Sequence, residues 1–453
     1  MKKNKKIYQF KLVNAHKLIA LLVIFSATNN VVAQGTWTLN QCLDTAQVYN
    51  KTLQISRNNI SMSKQKQMEA KANLLPKINA NVDYKYFMEL PTQLMPTSAL
   101  NPQVPEGQYK AIQFGVPHNI NANVQLAMPL YNPAIYGAIE NTKIANELTQ
   151  IQYQKSEEQV LYDITTLYYN AQILKHQLDF LETNLINTRK LLQNTQLLWE
   201  QLLAKGTDVN KVQLQIDLLN TQKDNTNNKY IQILNALKLN MGIDLRRDIS
   251  IKNEINFQKT IEYSEKTILD IKLIQTQNKL LNSELNTLKK SQIRPSLNLI
   301  ASYGTSGFGY HKTPNDFLKF YTNSFAGLQL SYPIFNGTVT QTKINQKKLE
   351  INNNELQVQL MDDKNKMEIE NLYGQKTIAQ QTIFNTEKQT TLAQSIYEKT
   401  IIQQKQGTAS LTDIILADNA LREAQQHYLS AIIDYLKADL ELKRVMGQLS
   451  VNK

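Results

Sequence analysis

Apolar positions in this chain change period as one reads along it. From 78 to 86, Ile78, Ala80, Val82, Tyr84 and Tyr86 alternate with Asn79, Asn81, Asp83 and Lys85, and a period of two is the mark of a strand. The alternation returns at 119–126, with Ile120, Ala122, Val124 and Leu126 against Asn119, Asn121, Asn123 and Gln125. Weaker versions follow: Leu297, Leu299, Ala301 and Tyr303 against Asn298 and Ser302, then Leu328, Leu330 and Tyr332 against Gln329 and Ser331. Between about 141 and 203 the steps become three and four. Ile164, Leu167, Ala171, Leu174, Leu178, Leu181, Leu185, Leu192, Trp199 and Leu202 form a seam broken only by Thr188 and Thr195, with no proline or glycine in the segment. That spacing predicts a coiled-coil helix, roughly 95 Å long at the usual rise.

The pattern is also written twice. Leu75-Pro76-Lys77-Ile78-Asn79 returns as Arg294-Pro295-Ser296-Leu297-Asn298, Met128-Pro129-Leu130-Tyr131-Asn132 as Tyr332-Pro333-Ile334-Phe335-Asn336, and the Met-Gly pair at 241–242 as 446–447. A unit this long is a duplicated domain rather than a solenoid repeat. The first copy, 34–250, is read as helix 39–74, strands 77–87 and 119–130, and helices 134–204 and 208–241. The second, 251–453, is read as helix 261–292, strands 295–303 and 324–334, and helices 338–405 and 411–447. Two half-length helices beside each long one suggest a cylinder wall built twice per chain. Each long helix turns back at a Gly-Thr pair, Gly206-Thr207 and Gly407-Thr408, where the glycine is expected to supply a left-handed stop.

The first 33 residues carry Lys2, Lys3, Lys5, Lys6, Lys11 and Lys17, an apolar run from Leu18 to Phe25, and Val31-Val32-Ala33 before Gln34. This is the layout of a secretory signal peptide. The apolar run is too short for a membrane anchor, which needs about 20 residues. Those lysines account for half of the +12 formal charge. No clustered basic patch remains, so nucleic acid is not an expected partner. Cys42 is the only cysteine, which rules out a disulfide within the chain.

For an exported chain without a later apolar helix, the strands decide the compartment. Their length, their asparagine-rich second face and the tyrosines at one end fit lipid outside and water inside. Four strands cannot close a barrel, and open edges are not tolerated in hydrocarbon. Several chains must therefore share one barrel, and two or three copies satisfy the eight-strand minimum. Asn79, Asn81, Asp83, Asn121, Asn123, Gln125, Asn298 and Gln329 are the expected lumen residues. The proline-rich segment 88–118 and the glycine-bearing segment 304–323 are read as polar outer loops.

The doubled order of elements, the Leu-Pro and Pro-Leu-Tyr-Asn or Pro-Ile-Phe-Asn strand signatures and the Gly-Thr-(x)4-Asp hairpin resemble the TolC-type outer membrane efflux proteins, also called outer membrane factors. The resemblance covers essentially the whole mature chain. It implies an all-α coiled-coil barrel joined to a transmembrane β-barrel, with a homotrimer forming an α/β tunnel. The tunnel would sit in the outer membrane lipid, extend into the periplasm, and dock a periplasmic adaptor (membrane fusion) protein and an inner-membrane pump, proton-driven or ATP-driven. It would serve as a passive exit duct for drugs, metals or other toxic solutes. Aspartates just beyond the second Gly-Thr line the family's constriction, and Asp413 falls there. The next such position is Leu416, with Asp418 displaced from it, and the position of the family's latch arginine is Ala409. Counting back from the matched Met-Gly pairs aligns Asp208 with Asp413. Gly206, Thr207, Gly407 and Thr408 are the turn residues that would meet the adaptor. Asp413 also has a purely local reading, since Ser410-x-x-Asp413 fits a helix-start capping box.

No enzyme chemistry is expected. His16, His118, His176, His311 and His427 are scattered without metal-ligand spacing, and there is neither a nucleophile elbow nor a phosphate-cradling loop. No cofactor is called for. Two other functions share these features: the outer membrane component of a type I protein secretion system, and a non-conducting envelope-spanning structural or receptor protein. The second leaves the asparagine-lined strands without a purpose.

Overall fold

A computed structural model describes residues 36–99, 107–255 and 267–449; the signal-peptide segment 1–33 lies outside them. The chain runs α1 (Leu39–Tyr49), α2 (Lys51–Ala72), β1 (Lys77–Tyr86), β2 (Thr92–Pro96), β3 (Tyr109–Gln113), β4 (His118–Tyr131), α3 (Pro133–Glu200), α4 (Gly206–Met241), α5 (Leu269–Ile293), β5 (Ser296–Tyr310), β6 (Phe317–Ser331), α6 (Val339–Lys405) and α7 (Leu411–Val445). None of the described helices is long and apolar enough to cross a membrane.

The compact units are not the two sequence repeats. One comprises 51–159, 262–374 and 440–453, and the other the remaining segments, including 160–261 and 375–439. Each draws on both halves of the chain. In the first unit, Leu372 of α6 packs with Leu442, Val445 and Met446 at the end of α7. In the second, Ala379 and Ile383 of α6 meet Ala431, Ile432, Tyr435 and Leu436 of α7, with Tyr169 and Ile173 of α3 against them. Elsewhere in that unit Leu181 and Leu185 of α3 pack on Ile216 and Leu219 of α4.

The sheet is four antiparallel strands in the order β1-β4-β5-β6. Directly opposed residues share a face, so the register sorts the alternation into two surfaces. Ile78, Val82 and Tyr84 lie level with Leu126, Ala122 and Ile120, and these with Ala301, Thr305 and Gly307.

Several expectations change. The helix over 39–74 is two helices: Asn50 takes an extended conformation, and its buried amide donates to the Asn240 carbonyl at 2.6 Å. At that point Gly242 ends α4 in the left-handed region, φ 74°, so close to Tyr49 that a Cβ would lie 2.2 Å from its carbonyl oxygen. The helix placed at 261–292 begins at Leu269, and 261–266 lie outside the described residues. The glycine-bearing segment 304–323 is mostly strand, with β5 running to Tyr310 and β6 beginning at Phe317. Its glycines make room for neighbours: a Cβ on Gly307 would sit 2.5 Å from the Phe320 ring, and one on Gly304 would sit 2.7 Å from the Ala122 carbonyl. Segment 88–118 holds a second hairpin, β2 with β3. The α3 seam stops early, since Trp199 is half exposed and Leu202 is 92% exposed.

Candidate functional site

Two places carry the polar chemistry. The first is one face of the sheet. Asn79 opposes Gln125, Asn81 opposes Asn123 and Asp83 opposes Asn121, and the row continues through Ser302, Gly304 and Ser306 of β5 to Phe325, Asn323 and Tyr321 of β6. Asn298 opposes both Pro129 and Gln329. All eight residues named from the alternation therefore fall on this face. Side chains along the row bond to one another: the Asn121 amide donates to Asp83 Oδ2 at 3.0 Å, and the Asn81 amide to Asn123 Oδ1 at 3.4 Å. The opposite face is aliphatic through the middle of β1 and β4, with Tyr303 and Thr305 continuing it on β5, and Tyr84 and Tyr86 pack around His118 at one end. Such a sheet suits lipid on one side and water on the other. Both outer strands, β1 and β6, keep an unpaired edge within the chain.

The second place is the pair of helical hairpins, α3–α4 and α6–α7. At the second, Gly407 is left-handed, φ 74°, and the Thr408 N–H and hydroxyl both donate to the Gln403 carbonyl at 3.0 Å. Asp413 stands in the first turn of α7. Its Oδ2 accepts from the Ser410 N–H at 2.8 Å and the Ser410 hydroxyl at 2.7 Å, while Ser410 Oγ accepts from the Asp413 N–H at 3.2 Å. These donated bonds hold the exposed carboxyl below the usual carboxylate range. The capping box and an unshielded negative charge coexist.

The first hairpin is built differently. Gly206 is the first residue of α4, not a left-handed stop; the left-handed residue is Leu202, φ 60°. The two turns, 201–205 and 406–410, are equally long, and Leu202 stands where Gly407 stands in the second. Asp208 is half-buried, accepts from the Lys205 N–H at 3.4 Å and pairs with Lys211 at 3.3 Å. Its charge is locally compensated, unlike that of Asp413.

Asp418 departs from the sequence reading. It is 6% exposed, two turns into α7, and pairs with Arg422 at 2.7 Å. Burial pushes its carboxyl up, with Arg422 opposing. A carboxylate packed against its own chain cannot line an opening, so Asp418 is an anchor for Arg422 instead. The arginine donates onward to Gln215 of α4 at 2.9 Å, tying the two hairpins together.

Comparison with known proteins places this geometry. The family described as Outer membrane efflux protein matches residues 284–448. Outer membrane protein TolC of Escherichia coli (strain K12) is 20% identical over 450 residues, covering 96% of this chain and 87% of TolC. Among solved structures, the CmeC outer membrane channel of Campylobacter jejuni aligns with a TM-score of 0.72 at 14% identity, over 90% of this chain and 85% of CmeC. The outer membrane protein VceC of Vibrio cholerae aligns at 0.69 and 13% identity, over 90% and 96%. The second half of the chain matches the outer membrane efflux protein family, and the chain as a whole has the fold of these channels.

Several structural residues of the chain carry no sequence signature. Trp37 forms a parallel bridge with Ile251, and polar side chains of α3 hold the segment that joins the repeats: the Gln172 amide donates to the carbonyls of Lys252 and Glu254 at 2.9 and 2.8 Å, and His176 Nε2 bonds the Asn253 carbonyl at 2.6 Å. Their partners are backbone atoms remote in sequence, so nothing in the local pattern points to them. His176 thus has a structural use, and the described residues contain no cluster of three or more potential metal ligands.

Proposed function

We propose that three copies of this chain close one twelve-stranded barrel in the outer membrane and act as the passive exit duct of a tripartite export system. A periplasmic adaptor and an inner-membrane pump deliver small toxic solutes to it. The observation that carries this reading is the sheet: one asparagine-rich face, an opposite face that is largely apolar on β1 and β4, and two free edges. An open edge in hydrocarbon leaves backbone groups unpaired at several kcal/mol each, so β6 of one chain pairs with β1 of the next until the ring closes. The helices support further copies. Along α6, Leu349, Leu356, Leu360, Met367, Leu392 and Ile396 stay about half exposed or more, at the spacing of a second seam that needs a partner helix.

At the periplasmic end, Asp413 from each copy lines the constriction, with Asp208 of the first hairpin behind it. The tip residues Gly206, Thr207, Gly407 and Thr408 meet the adaptor. Three uncompensated carboxylates around an axis attract cations and repel one another. A relative, the Neisseria gonorrhoeae MtrE channel, has been solved in an open state, which supports a mouth that opens and closes. Specificity belongs to the pump, because a duct of this kind needs no solute pocket.

Single-channel conductance in a planar bilayer tests the reading, wild type beside Asp413→Ala, with and without a divalent cation. We expect a small cation-selective conductance that rises or loses divalent block in the variant. Folded oligomers that never conduct, or crosslinked assemblies of two or four chains, would overturn it.

A further inference from the structure

We propose that the junction between helices and strands holds a phospholipid of the periplasmic leaflet through its phosphodiester, with an anionic headgroup preferred; the inference rests on the membrane placement of the sheet. A cleft of about 690 Å³ lies between the start of α3 and the end of α5, lined by Tyr131, Tyr136, Lys279, Lys290 and Arg294 among others. Its floor is set where the two helices close on each other at Gly137, so tightly that a Cβ there would sit 2.2 Å from the Thr287 side chain.

The register says which side of the sheet the cleft serves. After an irregularity at Pro129, Tyr131 comes level with Leu297, which itself opposes Leu330 on the aliphatic face. Tyr131 therefore stands on the lipid side at the last residue of β4. Its hydroxyl accepts from Arg294 Nη1 at 3.2 Å, and its ring lies 6.0 Å from that of Tyr136. Arg294 and Lys290 are one helical turn apart, and among the described residues neither is in an ion pair. The one acid on the rim, Glu140, has Lys143 at 3.7 Å.

Paired tyrosines at the level where strand becomes helix belong at a membrane–water interface. Two uncompensated cations beside them match a phosphate at that depth, where each basic side chain adds attraction to an anionic lipid. A free anion would have no use for the tyrosines or the aliphatic face. A lipid uses both.

Thermal unfolding of the purified full-length oligomer in detergent tests this, followed by circular dichroism with added phosphatidylglycerol, phosphatidylcholine or inorganic phosphate. Phosphatidylglycerol is expected to raise Tm by several degrees, phosphatidylcholine less, and inorganic phosphate not at all. In the Lys290→Gln/Arg294→Gln double variant the phosphatidylglycerol shift should fall by at least half. Should that variant not fold, Tyr131→Phe, which removes only the hydroxyl that orients Arg294, is expected to reduce the shift, and native mass spectrometry of the wild type should find phosphatidylglycerol retained. A full shift in the double variant or in Tyr131→Phe, or an equal shift with inorganic phosphate, would overturn the site. Conductance keeps the two readings apart: a protein that shows the lipid shift but never conducts sinks the duct alone, and one that conducts without the shift sinks only the lipid site.

Discussion

At the scale of single residues, the proposed constriction gives Asp413 a second job beside its helix cap, and the two are separable. Asp413→Asn keeps an oxygen to accept from Ser410 and loses the charge; Ser410→Ala loses the cap and keeps the charge. Cation preference should therefore fall in the first and survive in the second, as read from reversal potentials across a salt gradient. Because Ser410 holds the folded carboxyl below its ordinary value, its stabilising effect is complete above the unfolded value and lost as pH falls through the lowered one. Selectivity should accordingly persist into more acidic solution than an unperturbed aspartate allows, and Ser410→Ala should move its loss to higher pH. Leu202 presents a simpler case. A left-handed, solvent-exposed leucine costs about 1 kcal/mol or more relative to glycine, so Leu202→Gly should raise the denaturation midpoint correspondingly. The capping box could be read from Ser410-x-x-Asp413. The identity of the left-handed residue could not, because Gly206 looked like the better stop, whereas α4 already begins there and the turn reverses at Leu202, the counterpart of Gly407.

At the scale of elements, the chain's periods specified helices and strands but not their breaks. Asn50 looks like any polar residue on a helix, yet the approach of the α4 C-terminus converts it into a corner. Glycine in β5 reads as loop, yet opposite Phe320 it is the residue a flat pairing requires. The same limit applies to Asp418, whose burial depends on where α4 and α7 meet. Arg422→Met leaves that acid buried with no partner and should cost about 3 kcal/mol, measured by urea unfolding, while releasing the tie to Gln215. Adding Asp418→Leu should recover most of the loss, since two apolar residues of similar size leave no charge behind. A double variant no more stable than Arg422→Met alone would mean that the pair contributes through packing rather than charge.

At the scale of the whole molecule, the proposed barrel puts different demands on the two faces of the sheet. Val124→Lys, on the aliphatic face, should cost roughly 2–4 kcal/mol near the bilayer midplane and reduce the heat-stable oligomer recovered from membranes. Asn123→Lys, one residue away on the hydrated face, should leave assembly intact and shift selectivity toward anions. Alternation with a period of two, seams with a period near three and a half, and the duplicated order of elements were determined by the sequence alone, because each is a local consequence of backbone geometry acting on neighbouring residues. Tertiary structure decided the rest: compact units that mix both repeats, the helix break at Asn50, the burial of Asp418, and the cleft beside Tyr131. Each depends on which distant backbone or side chain arrives at a given place, and contacts of that kind leave no period in the chain.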